Sequence, residues 1–97
     1  MRIISKKPLR EFWERHADVA STLNDWHKAV RQEEWDSPVE LLANHPNARI
    51  IGNDRAVFNI RGNRYRLVVS VNYQYKIIYI RFIGTHAEYD RINAESV

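Results

Sequence analysis

Phe58-Asn59-Ile60-Arg61-Gly62-Asn63-Arg64-Tyr65-Arg66-Leu67-Val68-Val69 is the stretch on which the reading of this chain turns. Apolar and polar residues alternate on both sides of Gly62-Asn63, and a glycine–asparagine pair between alternating runs is a strong hairpin signal. With that pair as a two-residue turn, Ile60 lies opposite Tyr65 and Phe58 opposite Leu67. The other face then pairs Arg61 with Arg64, Asn59 with Arg66 and Val57 with Val68. A third alternating run extends from Lys76 to Ile83. Tyr73-Gln74 is the simplest turn into it, although Asn72 and Tyr75 allow a wider loop. The simplest turn sets Val69 against Ile78, Leu67 against Ile80 and Tyr65 against Phe82. Across the opposite face it sets Arg66 against Arg81 and Val68 against Tyr79.

Working outward, Arg49-Ile50-Ile51 is a further short strand, whereas the first 44 residues follow the helical period. Ser5 precedes a segment with Pro8 in its first turn, after which Leu9, Phe12, Trp13 and His16 recur at helical spacing. Val19, Leu23, Trp26, Ala29 and Val30 form a second apolar stripe that ends near Trp35. Ser37-Pro38-Val39-Glu40 is a capping-box pattern for a short third helix, which Pro46 stops. Thr85-His86-Ala87-Glu88 is another, opening a terminal helix through Tyr89 and Ile92. Helices first, then an antiparallel meander, then a closing helix define an α+β domain with its helices on one face of the sheet.

The 97 residues are expected to form one domain, 1–97, since two cores of half that size would not fold unaided. With 44% apolar residues, among them three Trp, three Phe and five Tyr, the chain can build one compact core. It has no cysteine, which removes disulfides and thiolate metal sites. No apolar run approaches the roughly 20 residues of a membrane span, and no secretory signal opens the chain. A cytoplasmic protein without membrane contact is the expectation. The net charge is +3, but Arg49, Arg55, Arg61, Arg64, Arg66 and Arg81 crowd the second half, and that asymmetry points to nucleic acid or an acidic partner.

The two sheet faces sharpen that indication. One carries Phe58, Ile60, Tyr65, Leu67, Val69, Val71, Ile78, Ile80 and Phe82 and is the expected core. The other carries Asn59, Arg61, Arg64, Arg66, Tyr79 and Arg81. Opposed like charges destabilise a strand pair by up to roughly 1 kcal/mol. Either the long side chains fan apart on a solvated face where screening removes most of the cost, or an anion resolves the repulsion, and the planar guanidinium is well matched to phosphate. Tyr79 beside the row offers a ring on which a base can stack.

The hairpin stretch, followed by Ile78-Tyr79-Ile80-Arg81 and by Gly84-Thr85-His86-Ala87-Glu88-Tyr89-Asp90, resembles the HigB family of bacterial toxins, within the RelE-like superfamily. The opening Met1 to Pro8, with a basic pair before a helix, is similar too. The resemblance implies a RelE-like fold with N-terminal helices on one face of a mainly antiparallel sheet and a short C-terminal helix. It further implies an endoribonuclease that cuts mRNA on the ribosome and a HigA-like helix-turn-helix antitoxin that holds it inactive. Contact with DNA would come only through that antitoxin.

Cutting RNA without a metal needs a base for the ribose 2′-hydroxyl, an acid for the leaving oxygen and cations for the charge on the phosphorane. No cofactor is implied. Arg66 and Arg81 are the first choices for the cations, with Arg61 and Arg64 second and Asn59 and Tyr79 as further RNA contacts. His86 is the acid or base, because imidazole titrates near neutrality and the residue lies just beyond the strand that bears Arg81. Tyr89, one turn on, positions substrate or stacks on a base. Lys6 and Lys7 are auxiliary phosphate contacts, while Asp90 reads as a solvated helix residue. His16, His27 and His45 lack metal-ligand spacing and read as structural. The rival readings are a non-catalytic RNA-binding module on the same face and a DNA-binding autorepressor. The second is disfavoured because Trp13 and Trp26 suit core packing better than groove reading.

Overall fold

The helices and strands follow in the predicted order, with one strand added at the N-terminus and a last helix that ends at Tyr89, short of Ile92. The computed structural model describes residues 1–97: β1 Arg2–Ile4, α1 Lys7–Arg15, a 3₁₀ turn Ala17–Val19, α2 Ala20–Arg31, α3 Pro38–Asn44, β2 Arg49–Ile51, β3 Arg55–Ile60, β4 Tyr65–Asn72, β5 Ile77–Thr85 and α4 His86–Tyr89. The sheet order is β1-β5-β4-β3-β2, antiparallel throughout except for β1, which runs parallel to β5. Helices on one face of a mainly antiparallel sheet, closed by a short C-terminal helix, is the architecture expected.

Arg2-Ile3-Ile4 corrects the view that the first 44 residues are helical. Three residues are too few to establish a period, and their partners, Ile77 to Tyr79, lie far along the chain. Ser5, at φ 66°, turns the chain from β1 towards α1. The second helix stops at Arg31, short of Trp35. The Met1 amine occupies the carbonyls of Val30 and Glu33, and Trp35 enters the core from a loop, fully buried. The capping signals act as read. Ser37 Oγ accepts from Glu40 N at 3.4 Å, and Thr85 and Glu88 exchange both bonds of a capping box at 2.8 and 3.2 Å. The backbone N–H of Thr85 accordingly holds the Glu88 carboxyl below its usual range.

Leu9, Phe12, Val19, Leu23, Trp26, Val30, Trp35 and Leu41 from the helical layer meet Ala56, Phe58, Ile60, Leu67, Val69, Val71 and Ile78 of the sheet in one core. Trp26 and Phe58 meet edge to face at 5.3 Å. Val57 and Val68 are also buried but stand outside that cluster, paired on the opposite face, to which α4 and the segment after it return.

Register is where the structure departs most from alternation. Ile60 faces Tyr65 as expected, but Arg61 and Arg64 lie in the turn and not in the ladder, with Arg61 and Gly62 both left-handed. The β4–β5 loop takes four residues, 73–76. Asn72 Oδ1 accepts from Tyr75 N at 3.0 Å, and Lys76 is left-handed at φ 58°. A loop two residues longer slides β5 by two, so Val69 meets Ile80 and the faces are preserved. A bulge then follows: Val68 pairs with Phe82, so Arg81 is the extra residue. That single step exchanges the faces beyond it. Phe82 leaves the core side, Ile83 replaces it opposite Leu67, Arg66 faces Gly84, and Tyr79 pairs with Ser70. The expected opposition of Arg66 and Arg81 does not occur.

Candidate active site

On the face away from the helices, a cavity of about 350 Å³ is lined by Asn47, Arg49, Val57, Asn59, Arg66, His86, Tyr89 and Asp90. The β2, β3 and β4 strands form its floor, and the capping box at Thr85 starts α4 so that His86, Tyr89 and Asp90 form one wall. The backbone N–H of His86 donates to Arg64 O at 3.1 Å, fixing the start of that wall to the β3–β4 turn. His86 Nδ1 lies 3.0 Å from Asp90 Oδ2, one helical turn on, and Nε2 has no protein partner. A carboxylate on one ring nitrogen orients the imidazole and leaves the other free to exchange a proton.

Tyr89 stands between two guanidinium groups. Its hydroxyl accepts from Arg49 Nη2 at 2.7 Å, and the Arg66 guanidinium lies 5.9 Å from its ring centroid. Arg66 Nη1 donates to the carbonyls of Asn63 and Tyr65 at 3.0 and 3.4 Å, which holds one nitrogen of the fork and leaves the others open. Neither arginine forms an ion pair with a carboxylate. Two guanidinium groups without counterions beside an oriented imidazole form an anion site equipped for proton transfer.

His86, Arg66, Tyr89 and Asn59 are therefore brought together, and the other predicted positions are not. Arg81 donates through Nε to Ser70 Oγ at 3.0 Å and lies 5.6 Å from the Tyr79 ring, so Arg81 and Tyr79 form a pair of their own outside the cavity. Arg61 and Arg64 turn towards Asp18 in the 3₁₀ turn between α1 and α2. Arg61 Nη1 donates to Asp18 O at 2.6 Å, and Arg64 Nη1 lies 3.3 Å from Asp18 Oδ2. The Tyr65 hydroxyl bonds both oxygens of that carboxyl at 2.9 Å and, ahead of the arginines, holds it below its usual range. Burial, ahead of the same contact, pushes the Tyr65 hydroxyl up. Lys6 donates to Asn24 Oδ1 at 3.1 Å and sits over Trp13, while Lys7 begins α1 in the helical layer. Strict alternation and charge predict RNA contacts from Arg61, Arg64, Lys6 and Lys7, whereas in the fold the two arginines meet Asp18, Lys6 meets Asn24 and Lys7 stands on α1.

Arg49 and Asn47 join the site without a predicted role in it, and so does Asp90, which the sequence reads as a solvated helix residue. Extending the face count to the short strand would have found Arg49, which pairs with Val57 next to Asn59. Asp90 carried the i, i+4 spacing from His86. Asn47, in a loop, gave no signal. The remaining histidines are apart: His16 stacks on Phe12 at 4.3 Å, His45 lies 2.7 Å from Glu33, and His27 is buried on α2. No three His, Asp or Glu side chains converge. A larger cleft of about 550 Å³ lies between β1, α2 and the β4–β5 loop. Its one imidazole, His27, resists protonation through burial and then through Lys6 and Arg31.

Residues 19–92, which include every element lining the cavity, match the family described as HigB toxin, a RelE-like toxic component of a toxin–antitoxin system. This chain belongs to the HigB toxin family. Among HigB proteins it is 28% identical over 94 residues to the mRNA interferase HigB of Escherichia coli O6:H1 (strain CFT073), covering 95% of this chain and 91% of the relative. It is 29% identical over 97 residues to the mRNA interferase toxin HigB of Escherichia coli strain K12, covering 97% and 92%, and equally to the mRNA interferase HigB of Shigella flexneri. The family match leaves β1 and α1 outside and takes in α2, α3, β2 to β5 and α4, and with them the cavity.

Proposed function

We propose that this HigB-family toxin is an mRNA interferase, an endoribonuclease that inhibits translation by cutting mRNA in the cavity beneath α4. The observation that carries the reading is the His86–Asp90 pair facing Arg49 and Arg66, neither of which has a carboxylate of its own. The ribose 2′-oxygen attacks the adjacent phosphorus, its proton passes to a base, and the departing 5′-oxygen takes a proton from an acid. His86 is one of these groups, oriented by Asp90. Tyr89, whose hydroxyl is held by Arg49, is the other proton-bearing group in reach. Arg66 and Arg49 stabilise the charge that develops on the phosphorane oxygens, and Asn59 contacts the strand being cut. No metal or organic cofactor enters this scheme.

The ribosome is the proposed place of cleavage, in the cytoplasm. The antitoxin that the family's pairing requires is proposed to be a HigA-like helix-turn-helix protein, through which alone DNA is contacted. No helix is long and apolar enough to cross a membrane. Inducing the chain without an antitoxin is expected to arrest growth and fragment transcripts. In vitro cleavage of ribosome-bound mRNA is expected to fall by roughly 10²–10⁴-fold in His86→Gln, the usual share of a positioned acid or base. RNA binding should change little, since the arginines supply the phosphate attraction. Soluble, folded protein that binds RNA but leaves transcripts intact would establish the non-catalytic binding module instead.

A further inference from the structure

The segment after α4 is fastened to the sheet by a set of contacts that the cleavage scheme does not use. Arg55, at the start of β3, is buried at 9% exposure. Its Nε donates to Ala94 O at 3.0 Å and its Nη2 to Val97 O. Asn53, in the left-handed β2–β3 turn, donates through Nδ2 to Glu95 O at 2.7 Å. Gly52 lets the Glu95 carboxyl lie close, since a Cβ there would stand 3.2 Å from it. The segment presents those carbonyls because Asn93 folds it locally. Asn93 O accepts from Ser96 N and Val97 N, each at 3.0 Å, and its Oδ1 accepts from Glu95 N at 3.0 Å.

We infer that Arg55 and Asn53 form a latch that positions α4 over the cavity, making both of them positioning residues for RNA cleavage. The inference rests on reading the cavity as the cutting site. The latch sits in the β2–β3 turn and at the start of β3, between Arg49 on one side and Val57 and Asn59 on the other, and it grips the chain a few residues beyond Tyr89 and Asp90. At its other end α4 is fixed by His86 N on Arg64 O, so without the latch the Tyr89–Asp90 end is held to the sheet by one exposed hydrogen bond, Arg49–Tyr89, and by the Tyr89 ring's contacts with Arg66 and Phe82. A guanidinium spans two carbonyls that a single ammonium cannot reach together. Loss of the latch leaves those carbonyls free to take water, so the segment lifts while the main core stays intact.

The test uses the full-length chain with Arg55→Ala, Arg55→Lys and Asn53→Gly, the last removing the amide donor without straining a left-handed backbone. Hydrogen exchange is expected to accelerate at residues 86–97 while β3 and β4 stay protected. On ribosome-bound mRNA, kcat is expected to fall roughly 10–10²-fold in Arg55→Ala, the scale of a slight misplacement of reacting groups, with KM little changed. Arg55→Lys should recover part of the loss. Unchanged exchange at 86–97, or faster exchange with undiminished kcat, overturns the inference. If Arg55→Ala does not fold, Asn53→Gly decides alone. Should the wild-type chain cut no mRNA on the ribosome, the cavity reading fails, and the exchange rates still decide whether the latch holds α4.

Discussion

Replacing Gly84 with alanine tests whether the packing beneath α4 governs the cavity. Gly84 is buried opposite Arg66, and a Cβ there would stand 2.5 Å from Phe82 Cζ, 3.1 Å from Phe82 Cε1 and 3.0 Å from Glu88 Oε1. Carbon atoms in comfortable contact sit roughly 3.5–4.0 Å apart, so the ring must retreat by about 1 Å. Its retreat is constrained by Tyr89, whose ring centroid lies 6.5 Å away, and by buried Val68 across the strand. Overpacking of this kind costs about 1–3 kcal/mol. Gly84 is not left-handed, so alanine meets no backbone strain and regains about 0.5–1 kcal/mol of chain entropy. The net expectation is a loss of about 1–2 kcal/mol, or about 5–10 °C in Tm for a domain of this length. Because Phe82 moves against Tyr89, cleavage should fall by about tenfold or more. Thermal melts and RNA cleavage would be measured for Gly84→Ala, Phe82→Ala and the double variant. In the Phe82→Ala background the added methyl should be neutral or slightly stabilising. An undisturbed Gly84→Ala, or the same loss with and without the ring, refutes the reasoning.

The separation of the two arginines gives a second expectation. Arg66→Ala should lower cleavage by at least about 10²-fold, as removal of a charge-stabilising donor does, with little change in the melt. Arg81→Ala, outside the cavity, should leave cleavage close to that of the parent; equal losses from both would place Arg81 back in the site. For His27, a depressed folded-state value means that below its ordinary value of 6.5 the unfolded chain takes up a proton that the folded chain resists. Stability is therefore full above that pH and declines as pH falls from it towards the folded-state value. His27→Gln should flatten that decline in denaturant titrations between about pH 8 and 5, and an unchanged slope would show that another group is responsible.

Alternation and spacing made the fold legible wherever one face had to be apolar. Phe58, Ile60, Leu67 and Val69 could be sorted at sight, and both capped helix starts followed from local chemistry at Ser37 and Thr85. β1 could not be found that way, since its three residues acquire meaning only from β5. The cavity was half legible. His86, Tyr89, Arg66 and Asn59 follow from the hairpin and the last cap, while Arg49 needed the short strand to be counted in the same scheme. Arg61 and Arg64 were misplaced because their fate depends on Asp18, which the fold alone brings near. Arg81 was misplaced because nothing in its neighbourhood marks an extra residue.

That extra residue behaves as a frameshift in the plane of the sheet. Up to Ile80, β5 is read in one phase, with Ile78 and Ile80 inward and Tyr79 outward; from Phe82 it is read in the other. Only the second phase turns Phe82 and Gly84 towards Arg66 and delivers the chain into α4 with Ile83 still packed against Leu67. A strand that kept a single phase would send Phe82 inward and Ile83 out beneath the helix that bears His86. The chemistry on one side of the sheet and the packing on the other are thus kept compatible by one residue whose own side chain takes part in neither.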